Sequence, residues 1–297
     1  KDFRRLGLYC EALLHYFFME SRTQHLCPFT MQSHNLQIFK GGNTLGELDL
    51  FLEDHQSNFF HVEIAVKFYL QSRSGGSIQE CSRWDNWIGP NSIDRLDIKC
   101  DRMITHQLSL IENHPNEFIE ACSDGELKKK LRRSFQQGEC AQQSIKASHF
   151  FKGINFIHFL SMDHAVRPIS SNENSPLGAW GRLSELKNHA TELARVFPCE
   201  QTYLVDKMGW MTGDNDALLK KSFAESLNDV EALFHQAKSR GYPTPGCMIF
   251  FEDKKTETKD GEALQTGTPS PETQKAPLRR PFVNRIIVVG DSWPFQN

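Results

Sequence analysis

Two carboxylates and a lysine lie on the polar side of a stretch in which apolar and polar residues alternate. In Leu45–Glu53, Leu48, Leu50 and Leu52 share one face and Asp49 lies on the other; in Phe59–Leu70, Glu63 and Lys67 lie opposite the apolar face. This period of two predicts half-buried strands, and the polar break between them predicts a hairpin. Pairing the apolar faces brings the two acids together. Two carboxylates and a lysine on one sheet face could bind a divalent cation with a positive charge beside it.

A third acid precedes this hairpin on a predicted helix. Apolar residues recur at helical spacing over residues 3–20, and Glu11 is the only acid in the middle of this segment. Two interpretations remain open. Glu11 is an exposed or capping residue, as acids are rarely fully buried, or it is a third carboxylate aimed at Asp49 and Glu63.

A basic helix is predicted after the hairpin. Gly89 and Pro90 followed by small polar residues indicate a helix start, and the apolar pattern continues from about residue 93 to 111. The basic residues of this helix recur at helical spacing and form one stripe. The stripe is either an ordinary solvated face or a surface that meets phosphate.

The order of predicted elements indicates an α/β fold. A short strand at 35–40 precedes the hairpin, and another strand is predicted at 150–161, so residues 1–165 form a core of helix, three-stranded meander, helix and strand. Strands and helices alternate in residues 166–297, an α/β extension packed on the core. Residues 253–281 have almost no aliphatic residues and predict a disordered loop between two neighbouring strands.

Composition excludes several classes of protein. The 297 residues carry a net charge of −3 with 39% hydrophobic and 24% charged residues, typical of a globular protein. No apolar run is long enough to span a membrane. The eight cysteines form no CxxC pair, which disfavours a zinc ribbon and suggests reduced thiols in the cytoplasm. The charge argues against a large footprint on duplex DNA.

The phrases LGELDLFL, HVEIAVKFYL and WIGPNSIDRLDIK resemble domain-of-unknown-function family 1853, a bacterial family assigned to the PD-(D/E)XK nuclease superfamily. The resemblance implies a restriction-endonuclease-like core. It also implies a phosphodiesterase that hydrolyses DNA or RNA with Mg²⁺ or Mn²⁺. A non-catalytic nucleic-acid- or protein-binding module that keeps the fold is the alternative. Nucleic acid is the expected partner and a membrane is not; the oligomeric state is left open.

The resemblance also implies roles for individual residues. Asp49 and Glu63 match the catalytic acids that hold metal, Lys67 matches the catalytic lysine, and Glu11 matches an additional metal ligand on the first helix. Residues on the helix after the hairpin are expected to bind phosphate: Arg95, Lys99, Arg102 and Gln107. The chain departs from the superfamily pattern at Ala65, because the usual second acid lies two residues before the lysine and Glu63 lies four before it.

Overall fold

The structure is a computed structural model. It describes residues 5–24, 27–72, 76–136, 145–189, 191, 193, 197, 201–205, 208–210, 219–242, 246–251 and 282–294.

The chain divides into two compact units, each assembled from separated segments. Unit 1 comprises residues 1–69, 87–89 and 93–153, and unit 2 comprises residues 70–86, 90–92 and 154–297. The division into residues 1–165 and 166–297 expected from the sequence stays a prediction. Both units combine helices with β-strands, so the protein is of the mixed α/β class.

Unit 1 contains most of the elements of the first half of the chain. Its strands are β1 (Phe29–Lys40), β2 (Asn43–Asp54), β3 (Phe59–Gln71, which ends in unit 2), β4 (Trp87–Ile88) and the start of β5 (Ile145–His158). Its helices are α1 (Leu6–Gln24), α3 (Leu96–Arg102), α4 (Leu110–Asn113), α5 (Pro115–Ala121) and α6 (Gly125–Gln136). The meander pairs in the order β1, β2, β3.

The predicted hairpin is confirmed. β2 and β3 are antiparallel, with Leu50 opposite Val62 and Glu53 opposite Phe59. Asp54 closes the turn, because its Oδ1 accepts the amide of Asn58 at 2.8 Å. Such local bonds from aspartate favour turns over continued strand.

Both faces of the meander are covered. On one face Leu50, Leu52 and Ile64 form an apolar cluster with α1. On the other face Phe51 and Phe59 pack into a cluster with residues of α4, α5 and α6. The polar face of β3, which alternation predicts to be half-buried, therefore lies inside the unit.

Helix α1 was predicted correctly as a helix. Its 3–4 spacing predicts an apolar stripe of which only Leu6 is buried, the other members being Tyr9, Leu13 and Phe17. The side chains that join the sheet cluster are Leu14 and Phe18. Leu13 is 52% exposed and Phe17 is 48% exposed. Apolar residues occupy several faces of this helix, so spacing alone does not select the face that packs.

The single helix predicted over 93–111 is wrong. Helix α3 is followed by a π-helical segment, Met103–Gln107, and then by α4. The amide of Leu108 donates to the carbonyl of Met103 at 2.8 Å, a five-residue step that defines the π turn. Two further helices follow, α5 and α6, and β5 has begun by Ile145.

Unit 2 is built around a mixed set of strands. Its remaining elements are α2 (Ile78–Ser82), β6 (Leu177–Arg182), α7 (Leu183–Asn188), β7 (Thr202–Val205), α8 (Phe223–Ser239), β8 (Cys247–Phe251) and β9 (Phe282–Val289). The strand order is β5, β6, β9, β8, β7. The first three run parallel, and β8 is antiparallel to β9 and to β7.

The predicted disordered loop at 253–281 lies outside the described residues. The two strands that flank it, β8 and β9, are neighbours as expected. Across the described ranges, no helix is both long enough and apolar enough to cross a membrane.

Candidate acidic site on the meander

The acidic site lies where the β2–β3 ladder ends. The pairing of β2 with β3 runs from Glu53 opposite Phe59 to Leu50 opposite Val62, and Asp49 and Glu63 are the next residues of the two strands. The Oδ2 atom of Asp49 accepts a hydrogen bond from the amide of Ile64 at 2.7 Å. A carboxylate thus satisfies a buried main-chain donor at the end of the ladder, and this bond fixes the side chain of Asp49.

Asp49 is the most strongly perturbed acid of the site. Burial and the charge of Glu63, with smaller contributions from Glu11 and Glu47, together raise its pKa from the usual value for aspartate to about 7, against the hydrogen bond from Ile64, which lowers it. Its Oδ1 atom accepts no hydrogen bond from the described residues. Three neighbouring acids therefore concentrate negative charge around one carboxylate, and one oxygen of that carboxylate has no partner among the described residues.

Glu63 is held on both of its oxygens and has no exposed surface. His61 Nε2 lies 2.7 Å from Oε1, and Gln107 donates through Nε2 to Oε2 at 2.5 Å. A carboxylate accepts only, so Nε2 is the protonated nitrogen of His61. The buried Nδ1 of His61 has no hydrogen-bond partner among the described residues.

Helix α1 brings Glu11 to the same cluster. Burial raises the pKa of Glu11, and the charges of Glu47 and Glu63 raise it as well. Glu11 therefore lies within electrostatic range of Glu63, and its role as a third carboxylate of the site stays a prediction. Glu47 was missed as a site residue, although its alternation with Asp49 puts both on one face of β2 and could have identified it.

Lys67 does not contact the acids through a hydrogen bond. Its Nζ donates to Oδ1 of Asp94 at 2.9 Å, and the two side chains are 30% and 43% exposed. The superfamily position of the second acid is held by Ala65, which is buried at 5% exposure. The motif lysine is therefore paired with an acid outside the motif.

The predicted phosphate-binding stripe is divided in the structure. Arg95 precedes α3 and forms a two-point bond with Asp97. Arg102 is exposed at the end of α3. Lys99 donates to Oε1 of Gln107 at 3.0 Å, and Gln107 donates in turn to Glu63. These two of the four expected phosphate-binding residues therefore belong to the acidic site.

The acids of the site differ in how well they fit a divalent ion. No group of three His, Cys, Asp or Glu side chains in the described part of the chain has a metal-binding arrangement. Mg²⁺, however, keeps several waters and needs only one or two carboxylates plus substrate phosphate. Asp49 fits this requirement through its free oxygen and the surrounding negative charge. Glu63 fits it less well, because it has no exposed surface and each of its oxygens already accepts a hydrogen bond.

Replacing Asp49 with asparagine is expected to stabilise the protein at pH 8 by about 1–2 kcal/mol, allowing for partial solvent screening. The folded chain binds the Asp49 proton more tightly than the unfolded chain, whose aspartates titrate near pH 4. Ionisation therefore destabilises the fold progressively as the pH rises from about 4 to about 7. Asparagine removes this penalty and keeps an oxygen for the amide of Ile64.

Thermal unfolding at pH 5 and pH 8 checks this expectation. The gain should be present at pH 8 and small at pH 5, and exposed Asp101→Asn should give no pH-dependent gain. A variant less stable than wild type at pH 8 would mean that folding does not raise the pKa of Asp49.

Unit 2 contains a polar cavity of about 760 Å³ that sequence reasoning missed. It lies at the carboxyl ends of parallel strands β5 and β6, where ligands bind in open α/β sheets. His158 and Arg182 both bond to Glu185, at 3.1 Å and 2.8 Å. Although burial raises the pKa of Glu185, these bonds lower it below the usual value. The three residues come from separate elements and share no sequence signature.

Fold and site together define a mixed α/β protein with a cluster of acids on its meander. A family model described as "Domain of unknown function (DUF1853)" matches residues 1–240. The chain belongs to this family. Searches of curated proteins and of solved structures each gave no match.

Proposed function

We propose that this protein is a metal-dependent phosphodiesterase that acts on DNA or RNA, with Mg²⁺ or Mn²⁺ held at Asp49. The observation that carries the proposal is the raised pKa of Asp49, caused by burial and by neighbouring acids. The clustered negative charges of Asp49 and its neighbours are unfavourable without a counter-ion and become favourable when a divalent cation neutralises them. A pKa perturbed by burial and specific charges is typical of a functional site.

We propose further that unit 1 has a restriction-endonuclease-like core. Its element order supports this: α1, the meander β1–β3, the helices α3 to α6, and then β5. Asp49 lies on the second strand of the meander, and Glu63 and Lys67 lie on the third. The order matches the one that the sequence resemblance implies.

In this proposal each residue of the acidic site has its own role. Asp49 binds the ion through its free oxygen while Ile64 orients the carboxylate. Glu11 adds negative charge from α1 and is the candidate second ligand. Glu63 holds Gln107 and raises the proton affinity of Asp49 without binding metal itself. A bound ion would acidify a water and neutralise charge on the phosphate.

The alternative is a non-catalytic module that binds nucleic acid or protein. A specific observation favours it: both motif residues of β3 are engaged, Glu63 with His61 and Gln107, and Lys67 with Asp94. A site that has lost catalysis has no need for a free acid and a free lysine, and bonds of this kind stabilise the core.

Hydrolysis assays distinguish the two functions. Single- and double-stranded DNA and RNA should be cleaved in the presence of Mg²⁺ or Mn²⁺, and Asp49→Ala should lower the rate at least about 100-fold, the usual effect of losing one preorganised electrostatic group. The matched control is Glu126→Ala, an exposed acid of α6 purified in the same way. Cleavage that persists in Asp49→Ala would come from another site or a contaminant.

Metal binding can be measured without activity. Mg²⁺ should raise the melting temperature of wild type at pH 8, because a ligand that binds only the folded state stabilises it. Asp49→Ala should lose this response and Glu126→Ala should keep it. Absence of both cleavage and a metal response in wild type would leave the binding module as the better account.

A further inference from the structure

The motif lysine is neutralised by its partner. Lys67 Nζ lies 2.9 Å from Oδ1 of Asp94, and the pair carries no net charge. A phosphodiester is a monoanion, and electrostatic attraction to it is strongest from a cation with no carboxylate bound to it. Lys67 is thus poorly suited to meet the phosphate in this arrangement.

Lys99 has the free charge that Lys67 lacks. Its one hydrogen bond to a described residue goes to the uncharged amide oxygen of Gln107 at 3.0 Å. Two of its three donors therefore remain available. Burial lowers the pKa of Lys99, and the charge of Lys67 lowers it as well, whereas Glu63 and Asp49 raise it. Lys99 thus lies within electrostatic reach of both acids.

Gln107 joins Lys99 to the most buried acid. Its Nε2 donates to Glu63 at 2.5 Å while its Oε1 accepts from Lys99. Because His61 holds the other oxygen of Glu63 at 2.7 Å, the chain of bonds runs from a fully buried pair out to the ammonium group. An amide anchored in this way restricts the lysine side chain to one region.

The π-helical segment makes the contact between Lys99 and Gln107 possible. In a regular helix, residues eight positions apart point about 80° away from each other, since each residue advances by about 100°. The wider turn at Met103–Gln107 advances less per residue and brings Gln107 round to the side of Lys99. Single π turns of this kind occur frequently at functional sites.

We propose that Lys99, and not Lys67, is the lysine that contacts the scissile phosphate, and that Gln107 is a positioning residue that holds it. The inference rests on the proposed phosphodiesterase function. It assigns the cation of the site to a helix that follows the hairpin, while the carboxylates stay on the strands.

The test compares two lysine variants of the same size. Lys99→Met should lower the hydrolysis rate with Mg²⁺ about 100-fold or more, and Lys67→Met should lower it less than about tenfold. The control is Lys40→Met, which removes an exposed lysine of unit 1 that pairs with Glu117. The inference is overturned if Lys67→Met loses as much activity as Lys99→Met while both retain the wild-type melting temperature.

Gln107 is tested through its coupling to Lys99. Gln107→Leu should lower the rate by itself, and the double variant should be no slower than Lys99→Met alone, because coupled residues give non-additive losses. A purely structural role for Gln107 would give additive losses, and that result would overturn the positioning role.

A binding measurement separates this inference from the proposed function. A fluorescein-labelled single-stranded oligonucleotide, titrated without divalent metal, should bind wild type and Lys67→Met alike and bind Lys99→Met at least about tenfold more weakly. If wild type binds without cleaving any substrate, the phosphodiesterase function fails and the phosphate contact of Lys99 stands. If Lys99→Met binds as well as wild type, or wild type does not bind, the contact is overturned.

Discussion

Replacing Glu63 with alanine is expected to lower the free energy of unfolding by about 3–5 kcal/mol, because two buried donors lose their acceptor and each unpaired donor costs about 1–3 kcal/mol. Glu63 has no exposed surface. The substitution leaves the Nε2 donors of His61 and Gln107 unpaired inside the unit. Urea unfolding at pH 8 measures the loss.

Glu63→Gln separates the hydrogen bonds from the charge. Glutamine has the same volume and can keep one bond as acceptor, so its cost should be less than half that of alanine. It should also lower the pKa of Asp49, because the charge of Glu63 is the largest electrostatic cause of that shift. Carboxyl ¹³C chemical shifts against pH report this. A Glu63→Ala variant within 1 kcal/mol of wild type would contradict the buried network.

Replacing Gly153 with alanine is expected to prevent unit 1 from folding, or to lower its free energy of unfolding by about 4 kcal/mol or more. A Cβ at this position would lie 1.7 Å from the carbonyl oxygen of Lys67 and 2.8 Å from its carbonyl carbon. Both atoms belong to the backbone, so no rotation of a side chain relieves the overlap. β3 or β5 would have to move, and β3 carries Glu63.

Gly125→Ala is the matched control. A Cβ at Gly125 meets nothing within 4 Å, and alanine favours helix by about 1 kcal/mol at interior positions, so this variant should melt at or slightly above the wild-type temperature. Circular dichroism and one-dimensional NMR spectra compare the two. Equal melting temperatures for Gly153→Ala and Gly125→Ala would mean that β5 does not approach Lys67 this closely.

The hairpin and its acids could be predicted because they depend on local pattern. Alternation gives the strands, aspartate and asparagine give the turn, and antiparallel pairing then brings Asp49 and Glu63 to the same end of the ladder. The mixed α/β class likewise follows from the order of helices and strands along the chain.

The surroundings of Glu63 and Lys67 could not be predicted in the same way. Alternation reports which residues share a face but not what covers that face, and here α4, α5 and α6 bury it. The partner of Lys67 is Asp94, which is distant in sequence. The π turn at Met103–Gln107 depends on tertiary packing, and it changes which residues of the helix share a side.

The strand order of unit 2 has a consequence for how the family is delimited. β9 and β8 lie between β6 and β7, yet the family match ends at residue 240, before either strand begins. A chain cut at that position would retain β6 and β7 and lose β9 and β8, the two strands that lie between them. Gene fragments designed on the limits of the match would therefore encode β7 without its partner strand and β6 with one edge unpaired.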